Sequence, residues 1–130
     1  MQKDIFLSVV APMYNESGCA QEFLDRVYKT CATLDRDFEI IIVDDGSTDS
    51  TFDILNASTI KELKVFSLTR NVGQTAALYA GIQQSLGQYI IVIDSDLQNL
   101  PEEIPLLLNE ADKGIDCVSG VRKNRTEAVL

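Results

Sequence analysis

The sequence has 130 residues, 45% of them apolar and 24% charged, a length and balance that suit one globular domain and exclude disorder from end to end. Twenty acids against 11 Lys and Arg leave a net charge of −9, a surface that repels nucleic-acid backbones. Histidine is absent, which excludes imidazole bases, Ser-His-Asp triads and His-bearing metal sites, so carboxylates must carry any acid-base or metal chemistry.

The three cysteines are odd in number and scattered. Cys19 and Cys31 fall on one expected helix, about 18 Å apart along its axis, so neither a disulfide framework nor a zinc site follows. The apolar runs 6–13 and 89–93 are far shorter than the roughly 18 residues that suggest a membrane span. Lys3 is followed at once by Asp4, and Ser8 and Pro12 break the next apolar run, a poor pattern for a signal peptide. A reducing, cytoplasmic compartment is the expectation.

In chain order, apolar runs at 6–11, 38–43, 64–68, 89–93 and, more weakly, 117–120 read as strands. None shows the strict alternation of a half-solvated sheet, which points to buried parallel strands. Between the first two, Ala20, Phe23, Leu24, Val27, Cys31 and Leu34 recur at three and four and form the apolar stripe of a helix. Ser47 or Thr48 is placed to cap a short helix through about Ala57, with Phe52 and Leu55 facing inward. A third helix is expected from about Gly73 to Ser85, closed by Gly87, its small Ala76, Ala77, Ala80 and Gly81 permitting close approach to the sheet. Pro101 starts a fourth, with Glu102 and Glu103 at its positive end, Ile104, Leu107, Leu108 and Ala111 buried, and Gly114 ending it. Such regular alternation predicts an α/β fold, a mostly parallel sheet with helices on both faces, and a ligand site at the carboxyl ends of the strands.

Polar residues gather at those ends. After the first strand come Pro12-Met13-Tyr14-Asn15-Glu16, which read either as a bent exit with an aromatic ring for stacking or as a plain turn opening a helix. After the second come Asp44-Asp45-Gly46-Ser47-Thr48-Asp49; an Asp-Gly turn and a capped helix explain Gly46, Ser47 and Asp49 but leave Asp44 and Asp45 unexplained, and one of these carboxylates is placed to accept bonds from a base or ribose. Asp94-Ser95-Asp96-Leu97-Gln98 place two acids after the fourth strand; the spacing alone reads as a solvated loop, but position at the end of an apolar strand favours a hard divalent cation that relieves the like charges and can bridge to a diphosphate. Arg70-Asn71-Val72-Gly73-Gln74 offer backbone N–H groups, an amide and a guanidinium to anionic oxygens, or simply cap a helix. Arg122-Lys123-Asn124-Arg125 are the one basic cluster, suited to a diphosphate or an anionic membrane surface, or else a solvated tail.

Taken in order, these segments together with Gly120-Val121-Arg122 resemble the family-2 inverting glycosyltransferases over nearly the whole chain. Gly73-Gln74-Thr75-Ala76-Ala77-Leu78 and Asp96-Leu97-Gln98 followed by Pro101-Glu102 are most similar to the polyprenyl-phosphate sugar transferases, relatives of dolichol-phosphate mannose synthase. The resemblance implies a GT-A (Rossmann-like) nucleotide-sugar fold. It implies Pro12, Tyr14, Asn15, Glu16 and Asp45 around the nucleoside, with Gln74 and Asp94 also in contact with the donor, and Mg²⁺ or Mn²⁺ held by Asp94, Asp96 and Gln98. Asp96 and Arg122 are the implied catalytic positions.

By the same resemblance, the donor is a nucleotide-sugar, with uridine favoured over guanosine, and the acceptor is a polyprenyl phosphate at the cytoplasmic face of a membrane. The family pattern runs on well past this length into an acceptor-binding half, so residues 1–130 are expected to be the donor-binding part, cut short on its C-terminal side, inactive alone and prone to self-association. Leu100 stands where relatives often carry a second Pro before the Pro-Glu pair. Two rival readings remain. A binding-only nucleotide-sugar module would keep the pocket without transfer. A phosphoacceptor receiver domain shares the length and the α/β order, but it wants its acidic pair after the first strand and a Lys after the last.

Overall fold

The computed structural model describes residues 4–98, 100–111, 120–121 and 128–129. Four parallel strands, β1 (Leu7–Met13), β2 (Phe38–Asp44), β3 (Leu63–Ser67) and β4 (Tyr89–Val92), form one sheet in the order β3-β2-β1-β4. The helices α1 (Ala20–Ala32), α2 (Thr51–Asn56) and α3 (Gln74–Gln84) make the crossovers. A 3₁₀ turn (Pro101–Glu103) leads into α4 (Ile104–Ala111), and β5 (Gly120–Val121) pairs antiparallel with β6 (Ala128–Val129).

Alternate residues of the strands build two cores, because successive side chains point to opposite faces. On one face Leu7, Val9, Ala11 and Met13 of β1 and Ile40 and Ile42 of β2 meet Phe23, Leu24, Val27 and Cys31 of α1, Leu55 of α2, and Ile104 and Leu108 of α4. On the other, Val10, Ile41 and Val43 meet Ala77 of α3, with Phe66, Leu68 and Leu78 packed around them. That second approach is close: a Cβ on Gly81 would lie 2.6 Å from Val10 Cγ1, so a larger residue forces the helix off the sheet.

The expected stripe of α1 is buried from Ala20 through Cys31. Three local expectations need correction. Ser47 and Thr48 do not cap α2, which starts at Thr51 behind Ser50, and Phe52 is 38% exposed while Thr51 beside it is buried. Gly87 does not close α3, whose C-cap is Ser85; it lies where a Cβ would come within 2.5 Å of the Ser8 backbone nitrogen. The strands are also not all buried: β1 and β2 are central and covered apart from half-buried Phe38, whereas β4, an edge strand among the described residues, leaves Ile90 and Val92 exposed. Gly114 and residues 117–119 lie outside the described residues. Among the described residues, no helix is long and apolar enough to cross a membrane.

Candidate active site

Parallel strands in register bring the loops after β1, β2 and β4 to one edge, since Met13 pairs with Asp44 and Val10 with Val92. There a cavity of about 420 Å³ is lined by Pro12, Met13, Tyr14, Glu16, Asp45, Asn71, Gly73, Gln74, Asp94, Ser95 and Asp96. Four of these residues are carboxylates and none is Lys or Arg. Asp45 and Asp94, separated by almost fifty residues of chain, thus share one site. A second cavity, about 550 Å³, opens at the opposite end around Phe6, Arg36 and Phe38, away from these loops.

Side-chain bonds knit the loops together. The Asn15 side-chain oxygen accepts the backbone N–H groups of Thr48 (2.8 Å) and Asp49 (3.3 Å), while the Asn15 N–H donates to Ser47 Oγ (2.9 Å). Asn15 adopts φ 52°, a left-handed conformation that asparagine tolerates. Thr51 Oγ1 accepts the Glu16 N–H at 2.9 Å and donates to Asp49 Oδ1 at 2.5 Å. The Thr51 hydroxyl, together with the backbone N–H groups of Thr51 and Ser17, outweighs desolvation and holds the Asp49 carboxyl at about 2. Asn15 therefore lies outside the cavity lining and ties the β1 loop to the β2 loop.

Asp45 is buried, and its carboxylate accepts three bonds from the loop before α3. Val72 N–H reaches Oδ1 at 2.8 Å; Gly73 N–H and Asn71 Nδ2 reach Oδ2 at 3.0 and 3.1 Å. Gly46 lets that loop approach, since at φ 70° its hypothetical Cβ would lie 2.4 Å from the Arg70 carbonyl carbon. Gln74, the first residue of α3, donates from Nε2 to Asp94 Oδ1 at 2.5 Å. Asp96 Oδ1 accepts the Gln98 N–H at 3.0 Å, and Leu97 between them has φ 64°, a strained value for a leucine. The Gln98 side chain does not line the cavity, and Arg122 lies outside the described residues.

Residues 8–129 match the family described as Glycosyl transferase family 2. The chain belongs to glycosyl transferase family 2. It is 44% identical over 128 residues to an undecaprenyl-phosphate 4-deoxy-4-formamido-L-arabinose transferase of Pseudomonas fluorescens, covering 96% of this chain and 38% of that protein. The transferase of the same name from Klebsiella pneumoniae strain 342 is 44% identical over 127 residues, covering 95% and 39%. The chain thus spans about 38% of the length of the curated relatives it matches. Among solved structures, S. aureus TarS 1-349 in complex with UDP-GlcNAc aligns with a TM-score of 0.66 at 31% identity, covering 86% of this chain and 31% of that one. Glucosyl-3-phosphoglycerate synthase from Mycobacterium tuberculosis, in complex with Mn²⁺, UDP and glucosyl-3-phosphoglycerate, aligns with a TM-score of 0.66 at 27% identity, covering 82% and 39%. The α/β sheet is the GT-A fold expected from the sequence.

The donor set of this family 2 domain fits a hard cation. Asp94 and Asp96 offer carboxylate oxygens at the cavity, with no basic side chain among the lining residues to neutralise them. Among the described residues no three acids or thiols converge to cage an ion unaided. Mg²⁺ and Mn²⁺ suit that arrangement, because such ions take one or two carboxylates and complete their shell with substrate phosphates and water.

Two contributors escaped the sequence reading. Ser95, buried between the two acids, donates from Oγ to the Pro12 carbonyl at 3.0 Å and locks the β4 loop to the β1 loop. Cys19 Sγ donates to Glu16 Oε2 at 3.1 Å and approaches the Ser95 carbonyl at 3.3 Å, so a thiol bridges the same two loops. Burial first, then the bond to Glu16 and its charge, push that thiol up to about 11 and keep it protonated. A small residue three positions after Glu16 was the only sequence signal of this bridge.

Proposed function

We propose that residues 1–130 are the nucleotide-sugar-binding part of a family 2 transferase that moves a sugar, with inversion and in a metal-dependent way, from a nucleoside diphosphate to a polyprenyl phosphate. The observation that carries this reading is the cavity at the carboxyl ends of the strands, with four acids and no basic residue among its described lining residues. A polyanionic diphosphate enters such a site only with a cation. Relatives named for undecaprenyl-phosphate transfer, and neighbours holding UDP-GlcNAc or UDP with Mn²⁺, support the same chemistry.

In this reading Tyr14, 45% exposed at the rim, offers its ring to the base, and Glu16 and the one lone pair left on Asp45 face the nucleoside. Asp94 and Asp96 hold the cation. Gln98 would support the cation site through its backbone N–H bond to Asp96 rather than as a cavity-lining ligand. A cation held by Asp94 and Asp96 would supply positive charge against the departing nucleoside diphosphate, a task that Arg122 would share. The lipid phosphate is already ionised at neutral pH, so it attacks the anomeric carbon from the face opposite the leaving group without a general base, which suits a chain lacking histidine. Uridine is the favoured base, and the cytoplasmic face of the membrane is the place where such a lipid phosphate meets a soluble donor. The exposed Ile90 and Val92 on the β4 edge support self-association, which sedimentation reads directly.

Titration calorimetry with uridine diphosphate tests the reading. Binding is expected with Mn²⁺, about tenfold or more weaker in Asp96→Ala, and weaker for guanosine diphosphate. Affinity unchanged by both chelator and Asp96→Ala would remove the cation from the site.

A further inference from the structure

We propose that Asp45 is a positioning residue for Asp94, acting across the site through the loop at 71–73 and Gln74. The inference rests on the cation reading of Asp94 and Asp96. It assigns Asp45 a task separate from touching a nucleoside.

The geometry forms a continuous chain of bonds. Asp45 leaves the end of β2 buried, in a backbone position itself fixed by its N–H donating to the Met13 carbonyl at 2.8 Å. Its two oxygens take the Val72 and Gly73 N–H groups and the Asn71 amide, so three of about four acceptor positions serve the loop. Gly73 is the N-cap of α3; its φ of 105° sets the direction in which the helix leaves. The next residue, Gln74, reaches Asp94 Oδ1 and leaves Oδ2 for a cation. Behind α3, Gly81 sits against Val10 and Val43, so the helix cannot slide toward the sheet to compensate for a displaced first turn.

A carboxylate facing three donors tolerates no substitution that adds a donor. Asp45→Asn keeps the shape but turns an NH₂ group toward N–H groups, which releases the loop and with it the register of Gln74. Gln74→Leu removes the last bond while leaving the loop bonded to Asp45.

The test is Mn²⁺ binding by the 130-residue chain with no nucleotide present, followed by paramagnetic resonance of the free ion, on wild type, Asp45→Asn, Gln74→Leu, the double variant and Asp94→Asn. With no nucleoside to contact, a role confined to base recognition leaves the Asp45→Asn curve on that of wild type. Positioning weakens binding by roughly five- to tenfold in each single variant, the size of a lost bond to a charged group at a partly exposed site. The double variant is expected to be no weaker than Asp45→Asn, because both changes cut one path. Hydrogen exchange at the Val72 and Gly73 amides should quicken in Asp45→Asn and stay slow in Gln74→Leu, which reads the loop without any metal. Wild-type affinity in Asp45→Asn, or additive losses in the double variant, overturns the coupling. Were Asp45→Asn to fail to fold, unaltered Mn²⁺ affinity in Gln74→Leu would overturn it equally. Asp94→Asn separates the two levels: if it binds as wild type does, the cation reading itself has failed, and the coupling with it.

Discussion

Glu39 lies at the amino-terminal end of the sheet with 2% of its surface exposed, and its carboxylate receives Lys64 Nζ at 2.8 Å, Ser8 Oγ at 2.6 Å and the Leu86 N–H at 2.6 Å. Asp94 and Asp96, at the carboxyl-terminal end, receive from the described residues one side-chain amide and one backbone N–H between them. Both ends concentrate negative charge, but among the described residues the first has a lysine bonded to its acid and the second has no Lys or Arg in its cavity lining. A buried acid that takes three bonds, one of them from a lysine, holds elements together. Acids left facing a cavity are available to something from outside. The Ser8 hydroxyl that serves Glu39 also accepts the Gly87 N–H at 2.8 Å, so the amino-terminal cluster fastens the α3–β4 connection to β1 and β2.

Breaking the first cluster should give the largest effect. Glu39→Ala strands the Ser8 hydroxyl and the Leu86 N–H and leaves Lys64 unpaired; since Lys64 is half in solvent, a loss of about 2–3 kcal/mol is expected in urea unfolding. A loss under about 0.5 kcal/mol would erase the contrast between the two ends.

Acid sharpens the comparison. Burial raises the Glu39 carboxyl, but Lys64, Ser8 and the Leu86 N–H together pull harder and leave it below its ordinary value of 4.5. A depressed carboxyl contributes stability that is complete above the unfolded value and is lost as pH falls through the folded one. Stability should therefore decline below about pH 4.5, and Glu39→Gln, already weakened at neutral pH, should show a shallower decline. Parallel curves for the two proteins would assign the acid sensitivity elsewhere.

The smallest effect belongs to the cavity. Removing one of two neighbouring like charges costs the fold nothing, so Asp96→Asn should leave stability unchanged or raise it by up to about 0.5 kcal/mol. A loss above about 1 kcal/mol would show that the acid is structural and weaken its claim as a ligand.

The strands, α1 and the shared edge were legible because buried β-runs and a three-four apolar stripe are local patterns. What the sequence hid were partnerships across distance. Ser47 looks like a helix cap, yet its oxygen takes the Asn15 N–H from another loop, and Asp49 supplies the turn before Thr51 instead. Phe52 looks like core, yet α2 turns it outward. Asp45 stands out as an acid after a strand, but its bonds to the loop at 71–73 join segments 26 to 28 residues apart. Strand composition likewise does not reveal which strand ends up at the edge, so the exposure of Ile90 and Val92 could not be read. Glu39 did leave a signal: a charged residue inside the apolar run 38–43, with Lys64 heading the third run.

The acid-lined mouth has a kinetic side as well. A molecule of net charge −9 whose entrance lacks Lys and Arg among the described lining residues slows the arrival of anything bearing several negative charges. That repulsion reaches about 8 Å at physiological ionic strength and shrinks as salt is added. A diphosphate already paired with a divalent ion carries part of its charge away before the encounter, so it passes the same rim with less hindrance. Traffic into the cleft is then governed by the ion pairing of the visitor in solution, and association should quicken with added salt, the reverse of the rule for a basic pocket.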